Sequence, residues 1–290
     1  MDFQKPPLQK LKDNLFEEKQ LNIYVLRLDL IHPFISGNKW YKLKYNLEEF
    51  HRLGKEYLVT FGGAFSNHIV ATTAAAKEFG IKTIGIIRGE ELNKNSNAVL
   101  QFASACGMEL VFVSREEYRL LKASDEKVLG KITSDIFILP EGGSNEFALQ
   151  GCTEIVKEIP IPFDYILSAC GTGMTLAGIT KSILSQQEII GVSVLHGEDF
   201  LEKNISEWSG NNHFKMIYDY HFGGYAKMND ELKTFCNTFY YQHQIRIEPV
   251  YTGKLFFGLY DLLKKDSFKQ GKTIIAIHSG GVFDFSIKPS

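Results

Sequence analysis

A doubly wound, parallel α/β fold is the architecture this sequence predicts, on three observations. Short apolar runs that read as strands alternate along the chain with amphipathic stretches that read as helices. Glycine-rich segments follow four of those runs, after Phe61, Leu139, Ala169 and Ile277, where a parallel sheet presents the carboxyl ends of its strands to ligands. No fixed-period repeat, low-complexity tract or obvious linker interrupts the pattern. The 290 residues suffice for one large unit or two smaller domains with sizeable cores.

Taken in order, Tyr24 to Leu30 alternates apolar and polar residues and reads as a strand. The segment Ser36-Gly37-Asn38-Lys39-Trp40-Tyr41-Lys42 then opens a helix whose apolar face carries Leu43, Leu47 and Phe50. Asn38 is the expected N-cap, which puts Lys39 and Lys42 on one face of the first turn. Cations are disfavoured at the positive end of a helix dipole. The pair is therefore either two solvated lysines or a sign of an anion or a special chemical role.

Tyr57 to Phe61 is the next strand, and Ser66 caps a helix over Asn67 to Phe79 closed by Gly80. Strands at Ile81 to Ile87 and Met108 to Val113 flank a helix from Ser96 to Ala105. A strand at Ile136 to Pro140 leads into Glu141-Gly142-Gly143-Ser144-Asn145, then a helix from Gln150 to Lys157. Tyr165 to Ala169 runs into Cys170-Gly171-Thr172-Gly173-Met174-Thr175, a helix to about Leu184 and a strand from Ile189 to Leu195. Helices at Glu231 to Gln242 and Leu255 to Lys264 bracket Ile247 to Gly253, and Thr273 to Ile277 is the last strand, ending in His278-Ser279-Gly280-Gly281.

Composition narrows the function classes. A formal charge of −2, with no dominant Lys/Arg block, disfavours nucleic-acid and anionic-membrane partners. Cys106, Cys152, Cys170 and Cys236 lack any C-x-x-C spacing and read as reduced thiols. The start of the sequence is polar, and no run reaches transmembrane length, so the expected compartment is the cytoplasm. No H-E-x-x-H pair or Cys/His cluster is present, and no metal is expected.

The turn from Cys170 to Thr175 stands between a strand and a helix, where backbone N–H groups converge on a phosphate. It is neither a P-loop nor the dinucleotide fingerprint, since Leu176 stands where the third glycine would be. Ser66-Asn67-His68 at a helix start can bind a carboxylate, or can be an ordinary cap beside a histidine. Tyr225 and Tyr251 stand out among thirteen tyrosines only for their polar, glycine-containing turns.

Six segments in this order resemble the pyridoxal-phosphate (PLP) enzymes of the 1-aminocyclopropane-1-carboxylate deaminase/D-cysteine desulfhydrase family. They are Gly37-Asn38-Lys39 with Lys42-Leu43, Ser66-Asn67-His68, Gly142 to Asn145, Gly171 to Thr175, Pro249 to Lys254 and His278 to Gly281. The likeness runs from about Leu28 to Phe283. It implies the tryptophan-synthase-β-like fold (fold type II), with a larger cofactor-binding domain of residues 1–43 and 146–290 and a smaller one of residues 44–145.

By position, the resemblance implies that Lys39 bonds the cofactor covalently and Lys42 meets its phosphate. Gly171, Thr172, Gly173, Met174 and Thr175 match the phosphate cradle, and Asn67 a residue bonded to the ring hydroxyl. Ser66 and His68 match the substrate carboxylate site, and Tyr225 and Tyr251 active-site tyrosines that handle substrate protons. The family's ring-opening deaminases carry glutamate directly after the second tyrosine and leucine in the His-x-Gly-Gly turn, where this chain has Thr252 and Ser279. Both differences point to the desulfhydrase side: α,β-elimination from D-cysteine or a similar β-substituted D-amino acid, giving pyruvate, ammonia and sulfide. Aminocyclopropane ring opening, D-serine dehydration or racemisation, and a non-catalytic binding protein of the same fold are the alternatives. Tyr41, Val70 and Met174 also depart from the family's usual residues. The resemblance further implies a homodimer acting on a small amino acid.

Overall fold

The computed structural model describes residues 3–123, 135–197 and 199–286. Ten strands follow one another among the described residues: β1 (Leu8–Lys10), β2 (Asn22–Arg27), β3 (Tyr57–Gly63), β4 (Lys82–Arg88), β5 (Glu109–Val113), β6 (Ile136–Leu139), β7 (Tyr165–Cys170), β8 (Glu188–Ser193), β9 (Lys215–Ile217) and β10 (Thr273–His278). The chain divides into two compact units, one holding Phe3–Ile31 and Leu149–Val282, the other His32–Ala148 and the segment from Phe283.

The larger unit contains a sheet of order β1-β2-β10-β7-β8-β9. Only its edge strand β1 runs antiparallel, with Leu8 opposite Leu26. The central strands are apolar on both faces, because helices cover both sides of a parallel sheet. Ile23, Val25, Leu167, Val192, Ile274 and Ala276 are buried from one face together with Leu255, Phe256 and Leu259 of the Thr252–Lys264 helix. Each of the valine, leucine, isoleucine and phenylalanine side chains contributes about 1.5–3 kcal/mol by leaving water.

The smaller unit is a four-stranded parallel sheet of order β5-β4-β3-β6. Val59, Phe61, Ile84, Ile86 and Ile136 form a core with Tyr118 of the Arg115–Ala123 helix. The Asn38–Arg52 helix buries Leu43, Leu47 and Phe50, as its periodicity predicts, and Phe50 meets Phe137 edge-on at 6.2 Å.

Several boundaries differ from the sequence reading. The units divide at 31/32, 148/149 and 282/283, not at 43/44 and 145/146, so Lys39, Lys42 and the segment from Phe283 belong to the smaller unit. A cut at 43 would sever one continuous helix. Residues 1–2 and 287–290, the outer limits of the expected domains, lie outside the described residues.

The first strand stops at Arg27 and continues as a 3-10 turn, Leu28–Leu30, fixed by a two-pronged Arg27–Asp29 pair at 2.9 and 2.7 Å. The expected Gln150 helix begins at Glu146, because the Asn145 side chain accepts from Ala148 N, and it ends at Cys152 before a separate 3-10 turn. The helix after Gly173 ends at Thr180 rather than Leu184, where the Ser182 hydroxyl turns back to Gly178 O. Conversely, the last helix starts at Thr252, three residues before Leu255, so Thr252, Gly253 and Lys254 are helical. Three helices, Asn14–Glu18, Arg115–Ala123 and Asp199–Ser209, and the short strands β1 and β9 have no counterpart in the sequence reading.

Candidate functional site

In the smaller unit the named residues gather where β3 and β6, paired in parallel with Thr60 opposite Leu139, reach their carboxyl ends. Gly37, not Asn38, is the N-cap of the Asn38–Arg52 helix; its φ of 68° and ψ of −151° are open to glycine but not to asparagine. Asn38 is instead the first helical residue, and its side-chain oxygen accepts from Lys39 Nζ at 3.2 Å. As a glycine, the N-cap brings no side-chain acceptor of its own to the first turn.

Lys42 is 3% exposed, and its Nζ donates to Gly142 O, in the loop after β6, at 3.2 Å. One turn on, Asn46 and Asn145 exchange side-chain hydrogen bonds at 3.1 and 2.6 Å. These contacts fasten the lysine-bearing helix to the Gly142–Asn145 loop.

Ser66 caps the Asn67–Phe79 helix as expected, its hydroxyl accepting from Ile69 N at 3.3 Å. Asn67 is half-buried beside it. His68 departs from a surface role: it is 2% exposed, and its Nε2 lies 2.8 Å from Thr60 Oγ1. Since Thr60 donates to Leu139 O at 2.9 Å, its hydroxyl accepts from His68 Nε2–H. Burial first, then the Lys39 and Lys42 charges, hold His68 well below the ordinary histidine range. It is thus a neutral imidazole beneath the two lysines.

In the larger unit, β7 delivers Gly171-Thr172-Gly173 to the start of the Met174–Thr180 helix. Gly173 is the N-cap, with a φ of 83° that favours glycine, and again the N-cap residue has no side chain to offer the first turn. Met174 and Thr175 are 1% and 5% exposed. Met174 is committed to the core and can offer a ligand only its backbone. Tyr251 packs against the loop so closely that a Cβ at position 171 would lie 3.1 Å from its ring. The Tyr225 ring stands edge-on to Tyr251 at 5.9 Å. Ser279 follows β10 and is half-buried. Its neighbour His278 is held between Arg246 O, 2.7 Å from Nε2, and Gly280 N–H, 3.3 Å from Nδ1.

Thr252 is fully buried, and its hydroxyl is engaged with one residue, Glu248. It accepts from Glu248 N at 2.9 Å and lies 3.2 Å from Glu248 Oε1. The Glu248 carboxyl also accepts from the backbone N–H groups of Val250, Tyr251 and Thr252 at 2.7–2.9 Å, so it caps the helix and fixes the Tyr251-Thr252 turn. The sequence reading passed over Glu248. Its signal was an acid seven residues before the helix expected from Leu255, an ordinary surface pattern.

Burial outweighs these donors and pushes Glu248 up to about 7. The fold therefore takes up a proton between the ordinary carboxylate range and about 7, where the unfolded chain does not. This contribution to stability is present at low pH and is lost as pH rises through the folded value. Glu248→Gln removes the titration. Wild type is expected to lose about 1–3 kcal/mol relative to this variant between pH 5 and 8, read from urea midpoints. A pH-independent difference would refute the shift.

The sequence matches the family described as pyridoxal-phosphate dependent enzymes over residues 3–280. It is 33% identical to a Pyrococcus horikoshii protein provisionally named 1-aminocyclopropane-1-carboxylate deaminase, over 95% of this chain and 89% of that one. It is 27% identical to a D-cysteine desulfhydrase of Yersinia enterocolitica, over 95% and 91% of the two chains. A solved structure of an ACC deaminase homologue superposes with a TM-score of 0.81 at 31% identity, covering 96% of this chain and 90% of the other. The parallel, doubly wound architecture is that of the fold-type II, tryptophan-synthase-β-like class.

Proposed function

The chain belongs to the pyridoxal-phosphate dependent enzymes, and from that premise we propose that it is a lyase performing α,β-elimination on D-cysteine or a similar β-substituted D-amino acid. The products are pyruvate, ammonia and sulfide.

The residues present fit the cofactor. Lys39 supplies an amine, and the neighbouring Lys42 cation favours its reactive, unprotonated form. The helix starts at Gly37 and Gly173, whose glycine N-caps bring no side chain to the first turn, suit an anion. Gly171 leaves open the space that a Cβ beside the Tyr251 ring would occupy. We assign Lys39 to the covalent bond, Lys42 and the backbone of Gly171 to Thr175 to the phosphate, and Asn67 to the ring hydroxyl. Thr252 and Ser279 are assigned to the ring-nitrogen side, and the larger unit to most of the cofactor contacts. Bound PLP supplies an electron sink that makes bonds at the substrate Cα breakable.

The protein's part is orientation and proton transfer. Ser66 and Asn67 hold the substrate carboxylate at the start of their helix, and His68 supports them from beneath. In this reading His68 positions Thr60 and the β3 turn rather than touching substrate. The Lys39 amine takes the proton from the substrate Cα. Tyr251 and Tyr225, at touching distance from each other, serve the protons of the amino group and of the departing thiolate. As the Cβ–S bond breaks, its electron pair leaves with sulfur, and water later releases the nitrogen as ammonia.

One observation carries the choice of reaction: Thr252 presents a neutral hydroxyl, held by Glu248, directly after Tyr251. A neutral partner delocalises the carbanion less than a carboxylate does, which favours loss of a leaving group. Steady-state pyruvate and sulfide release from D-cysteine tests the reading. Faster release of 2-oxobutanoate from 1-aminocyclopropane-1-carboxylate would overturn it. That second reading has support of its own, since the Glu248 carboxyl stands one hydrogen bond behind Thr252.

Among the described residues no helix is long and apolar enough to cross a membrane. A cytoplasmic homodimer is our proposal for the working form, and light scattering at twice the chain mass is the expected result.

A further inference from the structure

Lys254 is the least expected group in the larger unit. It is 0% exposed, yet its Nζ lies 2.7 Å from Gly224 O, 2.8 Å from His221 O and 3.3 Å from Val194 O. An ammonium has three donors, and here three main-chain carbonyls receive them. Among the described residues no carboxylate pairs with it at ion-pair distance. A buried charge is costly, and an apolar side chain of similar volume would give an equal or more stable core. Stability alone therefore does not account for the charge.

The carbonyls identify what is being held. Val194 follows β8 at its carboxyl end, while His221 and Gly224 belong to the turn that carries Tyr225. That turn has two non-glycine residues in the left-handed region, Phe222 at φ 53° and Ala226 at φ 56°. Such residues persist where surrounding contacts over-determine the backbone. Its own hydrogen bonds among the described residues include Gly224 N to His221 O at 3.0 Å, Lys227 N to Gly224 O at 3.1 Å and Gly223 N to His221 Nδ1 at 2.9 Å. Lys254 itself sits in the first turn of the Thr252–Lys264 helix, three residues after Tyr251.

We propose that the Lys254 ammonium is a built-in cation that clamps the 221–226 turn and so positions Tyr225 against Tyr251, in the place a bound monovalent cation would otherwise fill. The proposal rests on the assignment of the two tyrosines made above. Lys254 is a positioning residue, since it acts through main-chain carbonyls. Rings of such carbonyls are also how proteins bind potassium, so the clamp has a chemical substitute. Burial brings Lys254 down to about 8, partly offset by the Glu248 charge; the His196 and His221 rings, 4.8 Å apart, and Lys227 also stand at this turn. The clamp is thus charged at neutral pH.

The test is Lys254→Met in PLP-loaded enzyme, measured in a sodium buffer and again with potassium or ammonium replacing sodium. Lys254→Gln, which keeps a donor without the charge, is the second variant should the methionine protein fail to fold. Two readouts are needed. Hydrogen exchange at the amides of Gly224 and Lys227 is expected to speed roughly 10- to 100-fold in sodium and to slow again in roughly 100 mM potassium. Turnover is expected to fall about 10-fold or more in kcat with a smaller change in KM, with recovery in potassium and none in sodium. Wild type should be indifferent to the cation in both readouts.

Unchanged exchange in the variant would overturn the clamp. Faster exchange that no cation slows would overturn the cation role. Faster, potassium-sensitive exchange with unaltered turnover would overturn the positioning of Tyr225 and, with it, the proton role given to that tyrosine, without touching the assignment of Lys39.

Discussion

Lys39→Ala is expected to abolish turnover, by roughly 10³-fold or more, because one amine serves both as covalent anchor and as proton acceptor. The loss should appear without substrate as well. Borohydride treatment of wild type loaded with PLP should add the reduced cofactor's mass to the peptide bearing Lys39, and the variant should show no such adduct. Lys42→Ala should behave differently. The nearby cation goes but the amine remains, so labelling persists while more PLP is needed to reach it. If Lys39→Ala kept normal turnover, the anchor would have to be sought elsewhere. The buried Lys42, tied to Gly142 O, would be a poor substitute.

Gly178→Ala is expected to destabilise the protein by about 2–3 kcal/mol, lowering the melting temperature by roughly 5–10 °C. Propensity alone gives the opposite sign, since alanine in a helix interior gains about 1 kcal/mol over glycine. Packing decides it. The helix after the Gly171 turn lies directly on the backbone of Cys152, and a Cβ at 178 would meet the Cys152 carbonyl carbon at 2.7 Å and its Cα at 3.0 Å, as well as its Cβ. Backbone cannot swing aside as a side-chain tip can. The helix would have to move, taking the Gly171 to Thr175 turn with it, so weaker PLP binding should accompany the lower melting temperature. Gly54→Ala is the control: nothing lies within 4 Å there, and only the left-handed φ of 63° is strained, at about 1–2 kcal/mol with no effect on PLP. A Gly178→Ala protein at least as stable as wild type would show that propensity wins.

How much of this was legible beforehand depends on what each residue needs from its neighbours. Near-continuous apolar runs such as Tyr57 to Phe61 and Ile274 to Ile277 declare their strands locally, because burial on both faces admits a polar residue only where, as at Thr60, its hydroxyl is hydrogen-bonded. The order of the glycine turns was readable for the same reason. The Asp199–Ser209 helix was missed although Leu201 and Ile205 mark a face, since its polar surroundings diluted the signal.

Side chains whose meaning comes from a distant partner were beyond local reasoning. His68 could be recognised as a helix-start residue but not as buried against Thr60. Thr252 could be recognised as a neutral residue but not as one bound to Glu248. Lys254 is the instructive case. A cation in the first turn of a helix made Lys39 and Lys42 conspicuous, and the same rule applied to Lys254 once the helix was known to start at Thr252 rather than Leu255. A boundary error of three residues hid it.

The strand β2 has a consequence for how the molecule is made. It lies between β1 and β10, with Asn22 opposite Thr273 and Arg27 opposite His278, so it pairs with a strand that is synthesised long after it. Most of the smaller unit is read out in one stretch from His32 to Ala148, with only the segment from Phe283 to follow, and it can settle while translation continues. The larger unit must hold its opening segment in waiting until β10 arrives, and that late pairing makes its folding slow. A nascent chain stalled shortly before Thr273 should therefore carry a protease-resistant smaller unit and an unprotected start.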